Sequence, residues 1–242
     1  MTTKEQTIAE ISKSVSTFGA ELNTEILLIR HGQQTTATSK NITEFYKRTI
    51  GDHVDPPLSE LGNKQAELVG QSLSTTKIET VYASPLKRAF NTGEQIARHH
   101  DLKPIVINDL REVEMFRNSP QELSAEEVFG KHALAAMRWR MAKENSWDVF
   151  PQSEHSYELR QRVVNAIEGI IIANIGKRVV VAAHGGVINA YLGHLLKSPL
   201  DMLFRPAHTS ISTVLASEDT RIIRSLNDVY HLKTKEKDYI SG

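Results

Sequence analysis

Two histidines, each followed directly by glycine, are the residues of this sequence that most clearly point to chemistry. His31 follows a short apolar run and precedes one glycine, whereas His184 follows the strongest apolar run and precedes two. Glycine allows the backbone to approach a bound molecule closely. A helix that begins near Gly186 would also direct its N-terminal amides at an anion. Either histidine alone is more typical of a structural residue, but two of them in one chain favour a functional site.

Charged residues follow the other predicted strands. Arg30 ends the first strand, Arg88 lies at the turn from the second strand into a helix, and Glu112 follows the third strand. In such sheets, ligands bind beyond the carboxyl ends of the strands. Alone, Arg88 would be a solvated helix charge and Glu112 a surface acid. If the strands are neighbours, these three side chains share a crevice with His31 and His184.

The elements that must position these side chains alternate along the chain. Short apolar runs predict strands at 25–30, 79–83, 104–107, 179–183, 211–215 and 222–226. Apolar stripes at helical spacing predict helices from 59, from 85 to about 99, at 125–143 and 156–175, and from about 186. Alternating strands and helices predict an α/β fold: a single domain with a mostly parallel central sheet flanked by helices on both faces.

The predicted domain spans residues 25–232, with additions at both ends. Residues 1–24 form a helical extension whose apolar stripe either packs on its own domain or makes a homodimer contact. The stretch at about 113–153 is a helical cap insertion rather than a separate domain, because no flexible linker flanks it. Residues 233–242 are a polar tail that we expect to be frayed.

The composition narrows the classes of function. Lys plus Arg and Asp plus Glu both number 29, so nothing draws the whole chain to nucleic acid or to an anionic membrane. The absence of cysteine excludes a thiolate metal site and a cysteine nucleophile. Since no apolar run resembles a secretory signal or a membrane span, we expect a cytoplasmic protein.

Five segments, in chain order, resemble the motifs of the histidine phosphatase superfamily, in the branch that contains cofactor-dependent phosphoglycerate mutase. They lie at 28–33, at 51–66, at 84–92, at 110–112 and at 183–188. The resemblance covers residues 25 to 226. It implies a phosphoglycerate mutase-like fold and an enzyme that hydrolyses phosphate monoesters, with a small phosphate ester as its partner.

The resemblance also implies a role for each residue of the crevice. His31 would attack phosphorus and form a phosphohistidine. Arg30, Arg88 and His184 would surround the phosphoryl oxygens and stabilise the charge of the transition state. Glu112 would protonate the leaving oxygen and then take a proton from the attacking water.

Gln33 and Gly185 are the further phosphate-binding positions that the resemblance implies. It implies no metal and no other cofactor, because arginines and histidine supply the positive charge. The sequence departs from the family pattern at Ala37, where an asparagine is frequent, so that phosphate contact is missing or comes from Thr35 or Thr38.

Two acidic residues compete for the role of proton donor. Glu114 lies two positions after Glu112, and on a strand both side chains would point to the same side. The Leu-x-Glu pattern of the family favours Glu112. A further departure is His155, which stands where the family often has a serine and which we expect on the surface.

The cap insertion bears on the substrate. Its aromatic and basic side chains either form core or line the pocket, and in the pocket they would suit an organic phosphate monoester larger than phosphoglycerate. The insertion lacks the paired arginines and prolines of phosphoglycerate mutases, so mutase-type phosphotransfer is the alternative reaction. A phosphate-binding relative without catalysis is a further alternative, against which all five catalytic positions hold competent residue types.

Overall fold

The computed structural model describes residues 23–35, 47–234 and 237–241. Its strands are β1 (Thr24–Arg30), β2 (Thr80–Ala83), β3 (Ile105–Val106), β4 (Arg178–Ala183), β5 (Ile211–Ala216) and β6 (Arg221–Asp228). They form one sheet in the order β3-β2-β4-β1-β5-β6. The first four strands in this order are parallel, and β5 and β6 are antiparallel additions beside β1. The predicted mostly parallel α/β sheet is therefore confirmed.

Seven α-helices in the described ranges surround the sheet. They are α1 (Ile50–Val54), α2 (Glu60–Leu73), α3 (Lys87–Ala97), α4 (Ala125–Phe129), α5 (Lys131–Glu144), α6 (Ser156–Ala173) and α7 (Gly185–Leu195). Single 3-10 turns occur at 98–100, 108–110, 147–149 and 230–232. Of the helices just named, none has the length and apolar character that a membrane crossing requires.

Strand β1 is buried on both faces of the sheet. Ile26 and Leu28 belong to the core under α6 and α7, whereas Leu27 and Ile29 belong to the core under α2 and α3. Each buried aliphatic side chain stabilises the fold by about 1.5–3 kcal/mol. A shift of β1 by one residue would move each set of side chains into the core that now holds the other set. The register of β1 is therefore strongly specified.

The start of α2 is tied to the loop that follows β1. Ser59 caps the helix, because its Oγ accepts a hydrogen bond from the backbone N–H of Gly62 at 3.0 Å. The same hydroxyl donates to Oε1 of Gln33 at 2.8 Å. A Cβ atom on Gly62 would lie only 1.9 Å from the backbone oxygen of Gln33. The loop after β1 therefore approaches the helix more closely than any residue with a side chain allows.

The cap insertion differs from the prediction in one respect. The sequence predicts a helix at 125–143, but in the structure α4 ends at Phe129 and α5 begins at Lys131. Gly130 between them has a φ of +78°, a conformation that glycine adopts at no steric cost. Residues on either side of Gly130 are helical, so the break depends on the backbone conformation of this one glycine.

The C-terminal tail also differs from the prediction. Residues 237–241 are not frayed: the N–H of Tyr239 donates to the oxygen of Leu232 at 3.0 Å, and the oxygen of Ser241 accepts from the N–H of His208 at 2.8 Å. At the other end of the chain, most of the extension predicted for 1–24 lies outside the described residues. Its helix and its dimer contact stay predictions.

Two helical glycines provide a test of the contact between α2 and the loop after β1. Gly62→Ala is expected to lower the free energy of unfolding by about 1–3 kcal/mol, because the new Cβ meets backbone that cannot rotate away. Gly169→Ala in α6 is the control: nothing lies within 4 Å of the new Cβ, so it is expected to raise stability by about 0.5–1 kcal/mol. Urea unfolding measures both, and equal effects would contradict the close approach.

Candidate active site

The two central parallel strands bring His31 and His184 together. Arg30 at the end of β1 lies opposite Ala183 at the end of β4, and each histidine is the next residue. Their ring centroids are 5.1 Å apart. His31 is 4% exposed and His184 is fully buried. The site thus lies at the carboxyl ends of the strands, inside the protein rather than on its surface.

The neighbours of His31 settle which ring nitrogen carries its proton. Nδ1 lies 2.7 Å from the backbone oxygen of Gly32, and a carbonyl oxygen only accepts, so Nδ1 carries the hydrogen. Nε2 then carries no hydrogen, and its lone pair accepts a hydrogen bond from Nε of Arg88 at 3.3 Å. His31 therefore presents an unprotonated nitrogen beside a guanidinium group, which is the arrangement of a nucleophile for an anionic substrate.

Burial keeps His31 and His184 neutral. The pKa of His31 lies well below its usual value, mainly because burial disfavours the charged ring and further because His184, Arg88 and Arg30 are nearby. The pKa of His184 is lowered in the same way by burial and by the arginines. At physiological pH the lone pair of His31 is therefore available without removal of a proton.

Two buried polar atoms beside the histidines have no hydrogen-bond partner among the described residues. They are Nε of Arg30 and Nδ1 of His184. Both side chains are held through their other atoms, since Nη1 of Arg30 donates to the oxygen of Pro206 and Nε2 of His184 lies 2.8 Å from Oγ of Ser84. Buried polar atoms are normally paired, so an unpaired set in one place indicates a site for an anion.

Glu112 is held at the first turn of α7, next to the cationic groups. Its Oε2 accepts from the N–H of Gly186 at 3.2 Å, and its Oε1 accepts from the N–H of Val113 at 3.0 Å. A Cβ on Gly186 would lie 2.2 Å from Oε1 of Glu112, so only glycine leaves room for the carboxylate. A helix N-terminus stabilises negative charge, and the carboxylate acts electrostatically on both Arg30 and Arg88.

Glu114 points elsewhere. Its carboxylate pairs with Arg111 at 3.3 Å and with Arg117 at 3.9 Å, and its side chain is 37% exposed. The expectation that both glutamates point to the same side is wrong, because residues 111–114 do not form a strand. The structure brings Glu112, and not Glu114, to the histidines.

The remaining predicted residues occupy the border of the site. The side chain of Gln33 bonds to Ser59, and its backbone N–H donates to Oε1 of Gln65 at 2.9 Å, so Gln33 connects the loop to α2. Gly185 begins α7, and a Cβ there would lie 3.8 Å from Nε of Arg30. Ala37 and Thr38 lie outside the described residues, and the N–H of Thr35 donates to the oxygen of Pro57 at 3.0 Å.

Two residues outside the predicted set also belong to this region. His208 is 5% exposed, and its ring centroid is 5.8 Å from that of His31. Burial, with a contribution from Arg30, lowers its pKa to about 3. His208 precedes β5, which runs antiparallel to β1, so the start of β5 lies at the edge where β1 ends. Antiparallel pairing of β5 with β1 is the signal that would have identified it.

The second such residue is Arg162 on α6. Its guanidinium binds Glu154 in a bidentate pair at 2.6 and 2.7 Å and donates to the backbone oxygens of Asp109, Arg111 and Glu112. This network fixes the segment that carries Glu112. The exposed His155, as expected, lies apart from it and faces Asp148 at 3.6 Å. Among the described residues, no three histidine or acidic side chains are grouped as metal ligands would be.

Comparison with known proteins agrees with this geometry. A family model described as histidine phosphatase superfamily (branch 1) matches residues 26–229. The chain is 31% identical over 210 residues to Phosphoserine phosphatase 1 of Hydrogenobacter thermophilus, with 86% of this chain and 94% of that protein covered. It is 32% identical over 212 residues to Phosphoglycerate mutase-like protein 4 of Arabidopsis thaliana, with 86% and 87% covered. The structure of YhfR from Bacillus stearothermophilus shares the fold, with a TM-score of 0.69 at 24% identity over 87% of this chain and 100% of that chain.

The buried histidines make the stability of the protein depend on pH. His31, His184 and His208 have pKa values below the usual 6.5 in the folded state, so only the unfolded chain takes up their protons as the pH falls below 6.5. Stability is thus fully present above pH 6.5 and is lost on acidification, by about 1 kcal/mol for each fully buried histidine between pH 6.5 and 5.5.

Urea unfolding at pH 7.5, 6.5 and 5.5 in phosphate-free buffer measures this loss. His208→Asn is expected to reduce it by about 1 kcal/mol, because one buried titrating group is removed. His155→Asn, which changes an exposed side chain, serves as the control. An unchanged slope in His208→Asn would show that this histidine does not resist protonation in the folded state.

Proposed function

Because the chain belongs to branch 1 of the histidine phosphatase superfamily and is a phosphoric monoester hydrolase, we propose that it transfers the phosphoryl group first to His31 and then to water. The observation that carries the proposal is the neutral His31, whose Nδ1 is fixed on the oxygen of Gly32 and whose Nε2 lone pair faces Arg88. The unpaired atoms of Arg30 and His184 lie beside it.

In the first step, Nε2 of His31 attacks phosphorus and the bond from phosphorus to the ester oxygen breaks. Arg30 and Arg88 lie around the transferring group, where their guanidinium charges stabilise the negative charge on its oxygens. His184 is proposed to donate from Nδ1 to one phosphoryl oxygen, with Ser84 holding Nε2 of the same ring. The imidazole of His31 gains positive charge as the new bond forms, and the oxygen of Gly32 stabilises its Nδ1–H.

Glu112 is proposed to carry the proton in both steps. In its protonated form Glu112 gives its proton to the leaving oxygen, so the product departs as a neutral alcohol. The resulting carboxylate then accepts a proton from water, whose oxygen attacks the phosphohistidine. The bond from phosphorus to nitrogen breaks, and His31 and protonated Glu112 are restored. The reaction uses no metal in this proposal, since the arginines provide the positive charge.

The proposal includes a substrate and a compartment: the enzyme acts on a small phosphate ester in the cytoplasm. Residues 1–24 are proposed either to pack on their own domain or to form a homodimer contact. Mutase-type phosphotransfer is the alternative reaction: a substrate hydroxyl would then replace water at the phosphohistidine. Conversion of 3-phosphoglycerate to 2-phosphoglycerate is expected to be slow beside phosphatase turnover.

The role of His31 is tested by substitution and by labelling. His31→Ala is expected to lower hydrolysis of 4-nitrophenyl phosphate by roughly 10⁴-fold or more, because the nucleophile is removed. A ³²P-labelled ester is expected to leave an acid-labile label on the wild type and none on this variant. His155→Ala is the control and keeps both. Near wild-type turnover in folded His31→Ala would reject the assignment, and absence of label and turnover in the wild type would favour a binding protein without catalysis.

The role of Glu112 is tested through the leaving group. An alkoxide leaves poorly without a proton, whereas nitrophenolate leaves tolerably, so Glu112→Gln is expected to slow phosphorylation by an alkyl phosphate by roughly 10²–10⁴-fold and by 4-nitrophenyl phosphate much less. Rapid-quench measurement of the first turnover separates this step from dephosphorylation. Glu114→Gln is the matched control. If Glu114→Gln shows the leaving-group dependence instead, Glu114 is the proton donor.

A further inference from the structure

A cavity of about 590 Å³ lies between the cap and the loop that precedes β5. It is lined by Met115, Phe116, Leu134, Arg138, Met141, Ala142, Asn145, Phe150, Met202, Phe204 and Arg205. Its volume is that of a site for an organic molecule rather than for phosphate alone. No residue of the proposed mechanism lines it, so the cavity is separate from the groups that bind the phosphoryl group.

The walls of this cavity begin at the segments that hold the catalytic groups. Met115 and Phe116 follow Glu112 within four positions. On the other side, Arg205 precedes Pro206, whose oxygen accepts the hydrogen bond from Arg30. The cavity is therefore lined by segments that adjoin Glu112 on one side and the partner of Arg30 on the other.

Asn189 binds the segment 202–205, which forms one wall of the cavity, to the start of α7. Its Nδ2 donates to the oxygens of both Gly185 and Phe204, at 2.9 and 3.1 Å, and its Oδ1 accepts from the N–H of Leu203 at 2.8 Å. Asn189 is 1% exposed, so these bonds are not exchanged for bonds to water. The distance between the phosphoryl site and the cavity is thereby set by rigid elements.

The chemistry of the lining is uneven. Most of it is apolar, and Met115, Met141 and Met202 are flexible, polarizable side chains that adapt to varied shapes. Among the described lining residues, the charged ones are Arg138 and Arg205, and none is acidic. A carboxylate or second phosphate is therefore favoured here and an ammonium group is disfavoured. Serine phosphate carries an ammonium group, for which the described lining residues offer no carboxylate.

We infer that this cavity binds the leaving group, and that the substrate class is a phosphate monoester of an apolar, ring-sized alcohol or phenol that carries a second anionic group and no amine. The inference rests on the proposed function, since it concerns the organic part of the ester cleaved at His31. It goes further because it separates this enzyme from one that cleaves an amino-acid phosphate.

Three aryl phosphates with closely matched leaving oxygens test the inference. They are the phosphates of 4-ethylphenol, of 4-hydroxyphenylacetate and of tyramine, which differ mainly in carrying a neutral, an anionic and a cationic substituent. The kcat/KM is expected to be highest for the anionic ester and at least about tenfold lower for the cationic one, because two arginines face the substituent. Serine phosphate is expected to fall below all three.

Variants then locate the effect. Arg138→Ala and Arg205→Ala are each expected to reduce the ratio of anionic to neutral kcat/KM severalfold, and Met141→Asp is expected to favour the cationic ester over the anionic one. Arg140→Ala is the matched control, because Arg140 lies on the same helix, pairs with Glu144 and does not line the cavity. It is expected to leave the ratio unchanged.

The outcomes separate this inference from the proposed function. Equal kcat/KM for the three esters, with normal acid-labile labelling of His31 by each, would overturn the assignment of the cavity alone. The assignment is also overturned if Arg140→Ala changes the ratio as much as Arg205→Ala does. Absence of label on His31 with every ester would instead overturn the proposed function, and the inference with it.

Discussion

The pairing of β1 with its two neighbours is the constraint on which the site depends. Parallel registration with β4 aligns Arg30 with Ala183, and antiparallel registration with β5 places the segment before Ile211 at the same edge. As a result, the imidazole of His31 lies close to those of His184 and His208, which come from distant parts of the chain. Buried aliphatic residues on both faces of β1 maintain this registration, so the two cores and the site are specified by the same contacts.

Burial gives the site its chemical character and also its electrostatic cost. Arg30 and Arg88 are removed from water, and burial lowers the pKa of both, while Glu112 opposes that change. Glu112 acts on both guanidinium groups, and Asp55 also acts on Arg88. A bound phosphoryl group would accept hydrogen bonds from the polar atoms of Arg30 and His184 that have no partner within the described residues.

Much of the fold and of the site follows from local patterns. The strands that end at Arg30 and Ala183 are recognisable because an apolar run stops at a charged or polar residue, and glycines mark the turns. Glu112 and Glu114 are different, since their directions depend on a stretch without regular structure that Arg162 holds through backbone oxygens. The position of His208 cannot be predicted from neighbouring residues, because it depends on which strand β5 pairs with. The order of residues 237–241 likewise depends on contacts with Gln65 and His208, far away in sequence.

The strand order also bears on how the protein is made. Strand β1 is synthesised well before its partners, which start at residues 178 and 211. At roughly 5–20 residues per second, about 10 to 40 seconds pass between the synthesis of β1 and that of β5. Throughout that interval Ile26, Leu27, Leu28 and Ile29 lack the sheet that later buries them, which makes the nascent chain a natural client for chaperones that bind apolar segments. Translation must also pass both partner strands before His31 has its full set of neighbours.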